Sequence, residues 1–464
     1  MARAMALGLL WVSGSWIPTS ADAETTVVEE ILEILRDKEH ISDTQYQALR
    51  ERAQQEATLQ AEQAAVAIRA EHLAASASEP APGALQAFWK NGLRFTSPDK
   101  AFDVKVGGRI QNDWAVLAPN DDLQDAFPDR AGIGTGTEFR RARIQVSGSV
   151  YERVGFKFQY DFADSEVGFR DVFIELLDLP AVGLLRIGHF KEPLSLEQIT
   201  SSVNVTFLER SLLDALVPGR ETGFMLQNDA FEQRVTWALG AFRDTASDSG
   251  NGFSSDPLYS LTGRVTGLPW FEDEGRKLLH LGLAFSQRFR DENTIRVAAR
   301  PEAHLAPNLV NTGSFATDAV RIVNAEAALV HGPFSLQGEY NRLFADGSGG
   351  SVGDPAFDAL YVQASYFLTG EHRPYKASAG AFDRLVPLRN FDREGGLGAF
   401  EVAARFSRID LDSEGVSGGT LNDGTLGINW YLNPNVRFSF NYVLGRLEGV
   451  GWTNQAQSRF QIDF

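Results

Sequence analysis

Gln455-Ala456-Gln457-Ser458-Arg459-Phe460-Gln461-Ile462-Asp463-Phe464, the end of the chain, alternates without a break. Ala456, Ser458, Phe460, Ile462 and Phe464 share one parity; Gln457, Arg459, Gln461 and Asp463 share the other. Successive side chains of a strand point to opposite faces, so this segment presents one largely apolar and one wholly polar face. About ten residues tilted near 45° is also the length that carries a strand across a bilayer. Taken alone, the stretch fits an edge strand of a soluble sheet or the wall of a barrel.

The same period recurs from about Phe102 onward. Arg141, Arg143, Gln145, Ser147 and Ser149 occupy one face of a run, and Phe156, Phe158, Tyr160 and Phe162 alternate with Lys157, Gln159 and Asp161. Phe438, Phe440, Tyr442 and Leu444 face away from Arg437, Ser439 and Asn441. Turn signals such as Gly332-Pro333 and Asn433-Pro434-Asn435 separate the runs. About 16 such segments can be counted, an even number in the range that leaves an aqueous channel. No fixed repeat marks a solenoid. The expectation is an all-β transmembrane barrel of about 16 antiparallel strands over residues 102–464. Short turns such as Leu432 to Val436 would face the periplasm. Longer stretches (Asp244 to Leu258, Arg290 to Val320, Asp346 to Phe357) would form extracellular loops. Ending on Phe464 resembles the closing strand of outer-membrane barrels, whose terminal aromatic the barrel-assembly machinery reads.

Composition agrees. Hydrophobic residues are 43%, because a barrel's lumen and loops are as polar as its lipid face is apolar. The 43 glycines and 32 phenylalanines suit many turns and an aromatic outer surface. A net charge of -18 argues against nucleic acid as a partner. The absence of cysteine excludes a disulfide scaffold and fits passage through an oxidising compartment. Of the 43 basic residues 8 are lysine and 35 arginine. Arginine stays charged and offers a fork of donors matched to phosphate or carboxylate.

At the other terminus, Arg3, the apolar run Ala4 to Val12 and Ala21-Asp22-Ala23 have the form of a signal peptide, residues 1–23. No later apolar run approaches the 18 or so residues of a membrane helix, so only a barrel could span. Residues 24–80 read as helix. Val28, Ile31, Leu32 and Leu35 form an amphipathic stripe, Ser42-Asp43 marks a turn and new N-cap, and an Ala/Gln/Glu/Arg segment follows Tyr46, Leu49 and Ala53. This composition suits a coiled coil, here a trimerising periplasmic stalk, or alternatively a solvated helical hairpin. Pro80-Ala81-Pro82-Gly83 closes it, and residues 81–101 read as a linker.

Several segments together resemble one family, the phosphate-selective porins O and P. They are Val104-Lys105-Val106-Gly107-Gly108-Arg109-Ile110-Gln111, Phe139-Arg140-Arg141-Ala142, Tyr160-Asp161, and Gly188-His189-Phe190-Lys191-Glu192-Pro193. Thr200-Ser201-Ser202, Leu208-Glu209-Arg210, Leu368-Thr369-Gly370-Glu371, Tyr375-Lys376 and Leu426-Gly427-Ile428-Asn429-Trp430-Tyr431 follow in the right order. The resemblance spans roughly residues 95–464. It implies a homotrimeric outer-membrane porin in which a loop folds into a lumen lined by an arginine ladder. By position it carries over Arg109, the pair Arg140 and Arg141, the constriction acid Asp171, the hydroxyls Ser201 and Ser202, and Arg210 as the anion-binding, pore-lining set. Guanidinium forks with hydroxyls on the remaining lone pairs make a sound oxyanion site.

Two departures bear on selectivity. The phosphate-selective members carry a lysine three residues before the Ser-Ser pair, where this chain has Gln198, and another where it has Gly155. Strand parity adds a difficulty, since adjacent Arg140 and Arg141 cannot both point inward from a regular strand. The bland alternative makes these arginines and Arg210 wall braces paired with Asp171 and Glu175. Catalysis is not indicated: the 7 histidines are scattered outside any nucleophile or metal-ligand constellation, and no cofactor site is legible. The function expected is passive diffusion of small anions, with phosphate the candidate. The alternatives are a weakly selective porin or a helical tether from outer membrane to cell wall.

Overall fold

The computed structural model describes residues 20–78, 85–128, 134–163, 167–243, 258–290, 293–348 and 352–464. The signal-peptide core, the Pro80 to Gly83 segment and most of the Asp244 to Leu258 stretch lie outside them. The chain forms two compact units, divided between Ala84 and Leu85.

In the first unit, helix α1 (Ser20–Asp37) turns back into α2 (Asp43–Ser78). Ser42 begins the second helix through a reciprocal cap: its hydroxyl accepts from the Gln45 backbone N–H at 3.3 Å, and the Gln45 side-chain Oε1 accepts from the Ser42 N–H at 3.0 Å. Leu32 and Tyr46 are buried in the hairpin, with the Arg36 guanidinium 4.8 Å from the Tyr46 ring. Val28 and Ile31 remain exposed, so the hairpin covers only part of the apolar stripe.

The second unit is a barrel. Its strands are β1 (Phe102–Pro119), β2 (Gly134–Val150), β3 (Val154–Asp161), β4 (Gly168–Leu179), β5 (Gly183–Lys191), β6 (Arg220–Ala230), β7 (Val235–Arg243) and β8 (Tyr259–Glu272). They continue as β9 (Lys277–Phe289), β10 (Phe315–His331), β11 (Phe334–Gly347), β12 (Ala356–Phe367), β13 (Ala399–Ser413), β14 (Val416–Asn433), β15 (Val436–Leu447) and β16 (Gly451–Asp463). Each pairs antiparallel with its neighbour, and β16 pairs antiparallel with β1, from Thr453 opposite Pro119 to Asp463 opposite Arg109. That last pairing closes a 16-stranded barrel and removes the sheet edges that lipid could not satisfy.

Parity assigns the faces. Along β16, Phe460 and Ile462 are exposed on the outside while Gln455, Gln457, Arg459, Gln461 and Asp463 are buried toward the lumen. Beyond β16, the Phe464 N–H and C=O exchange bonds of 3.0 and 2.8 Å with Gly108, and its ring stacks on Trp89 at 6.4 Å.

Trp89 belongs to a hairpin, Gln86–Trp89 with Leu93–Thr96, inside the stretch expected to be linker. Its second strand pairs with β1 at Asp103 to Val106, the part of that edge lying beyond the reach of β16. The compact unit that holds the barrel thus takes in this hairpin from Leu85 onward, and the hairpin covers a strand edge that would otherwise be a liability. Removing Phe464 should lower the yield of heat-modifiable barrel several-fold on gels while export continues. Wild-type yield would show that the seam closes without it.

Three segments enter the lumen. Residues 192–219, between β5 and β6, carry a short helix α3 (Leu196–Ile199) and a 3-10 turn (Leu212–Leu216). Leu196 packs with Tyr375 and Phe382, whereas Leu212, Leu213 and Leu216 pack near Phe315, Phe357 and Leu411. Each fully buried leucine contributes roughly 1.5–3 kcal/mol, so the segment is fixed by apolar contacts at both ends. Residues 293–314 bring in Glu302. Residues 368–398 enter from the end expected to have only short turns; the periodicity did not reveal this, because the segment contains only the two-residue strands Tyr375–Lys376 and Ala381–Phe382.

Candidate functional site: a cation-lined constriction

The polar face of β16 holds all three inserted segments. Gln457 donates to the Glu302 carbonyl at 3.1 Å, Gln461 to the Val203 carbonyl at 3.3 Å, and Asp463 pairs with Arg384. Arg459, completely buried, grips Asp113 of β1 at 2.7 and 2.6 Å, Glu209 at 2.8 Å, and the Leu208 carbonyl. Neighbouring strands do the same for segment 192–219. Its carbonyls at Ser202, Val205, Thr206 and Glu209 accept from Gln111, Arg437, Asn429 and Arg405 at 3.3, 2.8, 2.8 and 2.9 Å. Side-chain donors thus satisfy the backbone of a buried, irregular segment.

Carboxylates are committed to the same task. Glu339 of β11 accepts the N–H groups of Leu196 and Glu197 at 3.0 and 2.8 Å, at the start of α3. Glu192 takes Arg288 at 2.6 Å, and Glu302 takes Arg405, Ser407 and Thr425. Glu209 receives Arg140 through two bonds, 2.9 and 3.0 Å. Burial opposes its charge, but Arg140, Arg459 and Arg141 outweigh burial and hold the carboxyl well below its usual range. Burial wins at Glu197, whose carboxyl is pushed up despite Arg405 and Arg210.

With these acids tied beneath the loops, what faces the open lumen is cationic. A cavity of ≈ 450 Å³ is lined by Arg109, Arg140, Arg141, Asp171, Ser201, Ser202 and Arg210, all the residues singled out from the sequence. Arg143, Arg170, Arg186, Arg220, Arg264, Lys157 and Lys191 join them, so nine arginines, two lysines and one carboxylate, Asp171, line the cavity among the described residues, with Asp161, Glu175, Glu209 and Glu326 paired to some of these arginines from behind.

The individual contacts differ. Arg109 donates to Ser202 Oγ at 2.9 Å and Arg141 to Gln111 Oε1 at 2.8 Å; the buried Arg141 Nε has no partner. Among the described residues neither has a carboxylate within salt-bridge distance. Arg210 donates to the carbonyls of Glu197, Gln198 and Thr200 at 3.0, 3.4 and 3.3 Å, with Asp214 3.8 Å away. Lys191 donates to the same Gln198 and Thr200 carbonyls. Both cations therefore complement the C-terminal end of α3.

Two expectations need correction. Asp171 holds Lys157 at 2.6 Å and Arg220 at 2.7 Å, and Glu175 holds Arg186 at 2.8 Å, so neither acid braces Arg140, Arg141 or Arg210. The parity conflict is resolved by a β-bulge. Gln111 opposes Arg141 and Asn112 opposes Phe139, which leaves Arg140 as the extra residue and lets both arginines reach the lumen. Gln198 lines the cavity, whereas Gly155 does not. A Cβ at Gly155 would lie 3.0 Å from Glu175 Oε2, so a lysine there would meet a carboxylate first.

A family model described as phosphate-selective porin O and P matches residues 104–464. An uncharacterized protein of Caulobacter vibrioides is 29% identical over 412 residues, covering 83% of this chain and 79% of its own length. Porin O of Pseudomonas aeruginosa is 26% identical over 400 residues, covering 78% of this chain and 87% of its own. An anion-selective porin from Comamonas acidovorans superposes with a TM-score of 0.49 at 14% identity, covering 78% of this chain and 100% of its own.

Proposed function

The chain belongs to the phosphate-selective porin O and P family, and from that premise we propose that it passes small anions, inorganic phosphate among them, through the cation-lined constriction. It is an outer-membrane porin. The observation that supports anion passage is the separation of charge. A chain of net charge -18 lines its central cavity with nine arginines, two lysines and one acid, and although most of these cations pair with carboxylates behind the lining, Arg109, Arg141 and Lys191 have none within salt-bridge distance among the described residues. The constriction is thus an electropositive focus in an acidic protein, where an anion exchanges water for guanidinium donors.

Roles divide by partner. Arg109 and Arg141, bonded only to neutral acceptors, are the cations open to a passing oxyanion, with Ser201 and Ser202 beside them. Arg210 and Lys191 shape the inward segment and add field. The barrel would assemble as a homotrimer in the outer membrane, with the C-terminal seam and the α1–α2 hairpin on the periplasmic side. A weakly selective pore is the second reading, favoured by Gln198 at the place of the family's lysine.

A planar-bilayer recording with chloride, phosphate and a neutral sugar tests the proposal. Cation selectivity, or a chloride current that phosphate does not block, would refute it. Gln198→Lys adds an ammonium to the cavity wall and should strengthen phosphate block about tenfold, the worth of one charge-assisted hydrogen bond. An unchanged block constant would place the anion elsewhere.

A further inference from the structure

The outer face of β13, β14 and β15 carries a feature unrelated to the pore. Phe406, Gly424 and Leu444 lie side by side across the three strands, all facing away from the lumen. Adjacent strands are about 4.8 Å apart, so the glycine leaves a trough roughly two spacings wide between two large apolar flanks. A Cβ at Gly424 would meet nothing within 4 Å, and a cavity of ≈ 550 Å³ lies here. One row nearer the long-loop end, Arg408, Asn422 and Arg446 occupy the corresponding places on the same strands. Arg408 is taken by Glu448 at 2.6 Å, which also accepts from Asn422 at 2.9 Å. Among the described residues Arg446 has no carboxylate within salt-bridge distance, although it lines the mouth of the trough. The exposed Trp452 stands opposite Arg446 on β16, as aromatics do at a membrane interface, and the exposed Tyr442 lies two rows deeper on β15.

We propose that this trough is a binding site for a phosphorylated lipid of the outer leaflet, its acyl chain lying along Gly424 between Phe406 and Leu444 and its phosphate on Arg446. Both halves of the occupant are specified. A floor of hydrocarbon flanks requires an apolar chain, and an unpaired guanidinium at the polar end requires an anion. Asn422 gives one amide N–H to Glu448 and has a second for the same headgroup, while Glu448, neutralised by Arg408, walls off the far side.

The test uses the purified full-length barrel in detergent, with a dioleoyl phosphatidate, the corresponding diacylglycerol and inorganic phosphate as probes, read by native mass spectrometry. Wild type should retain one phosphatidate about tenfold better than diacylglycerol, and millimolar inorganic phosphate should not displace it. Arg446→Gln should erase that preference. Gly424→Leu, whose Cβ meets nothing within 4 Å, should fill the trough and abolish retention of both lipids. Single-channel conductance should be unchanged in both variants, because both side chains face outward. A preference that survives Arg446→Gln, lipid retention that survives Gly424→Leu, or displacement by inorganic phosphate overturns the proposal. So does a change of oligomeric state in Gly424→Leu, which would make the trough a contact between copies.

Discussion

Replacing Arg109 and Arg141 together by glutamine should abolish phosphate block and carry the reversal potential in a salt gradient most of the way to that of a neutral pore. Each guanidinium offers charge-assisted hydrogen bonds worth roughly 1.5–3 kcal/mol to a bound oxyanion, so the pair should account for about 100-fold or more in affinity. Glutamine keeps a donor and much of the length, which leaves the wall packed. The two arginines bond to Ser202 Oγ and Gln111 Oε1, so their loss strands no carboxylate. Asp171 keeps Lys157 and Arg220 in the variant. A reversal potential that stays where it was would mean that the remaining cations set selectivity as a diffuse field. Arg210→Gln should act differently, loosening the end of α3 more than it removes an anion contact.

Arg459→Leu should have the largest effect on architecture. It leaves Asp113 and Glu209 buried without the guanidinium that joins them, a change that typically costs 3–5 kcal/mol or so. Segment 192–219 would then be free to leave the lumen, raising conductance and reducing anion preference together. The temperature at which the barrel loses its compact mobility on gels should fall by several degrees. A variant with wild-type conductance and stability would show that the carbonyl contacts alone hold the segment. The same anchor sets the response to acid. The Glu209 carboxyl is held low in the folded state, so its contribution is complete above the unfolded value of about 4.3 and is lost only as pH falls through the lower folded one.

The alternation of β16 made the barrel legible, because lipid on one side and polar lumen on the other impose a strict period of two. Family-level matching also brought seven separated residues to one cavity, where parity alone would have discarded one of the pair Arg140 and Arg141. The bulge that rescues it depends on cross-strand register, which is not a property of β2 by itself. Arg143 and Lys157 could have been found, since each lies on the polar face of its own run. The turns were less readable. Tyr151-Glu152 and Phe231-Glu232-Gln233 reverse the chain with φ values of 48 to 65°, a conformation whose usual residues are glycine and asparagine. Segment 368–398 escaped notice because its structure comes from long-range partners, such as Arg373 on Gln337 at 2.6 Å, rather than from any local pattern.

The division between carboxylates under the loops and cations around the water has a consequence for ionic strength. Exposed charges are screened over about 10 Å at 0.1 M salt but only about 3 Å at 1 M, whereas buried pairs are screened far less. Concentrated electrolyte should therefore mask the partly exposed Arg109 and the other charges on the open water while leaving the grip of Arg459 on Asp113 intact. The pore would keep its bore and its loops and lose its discrimination, recovering it on dilution. A channel built this way chooses among ions most sharply in dilute surroundings, where the solute it admits is scarcest.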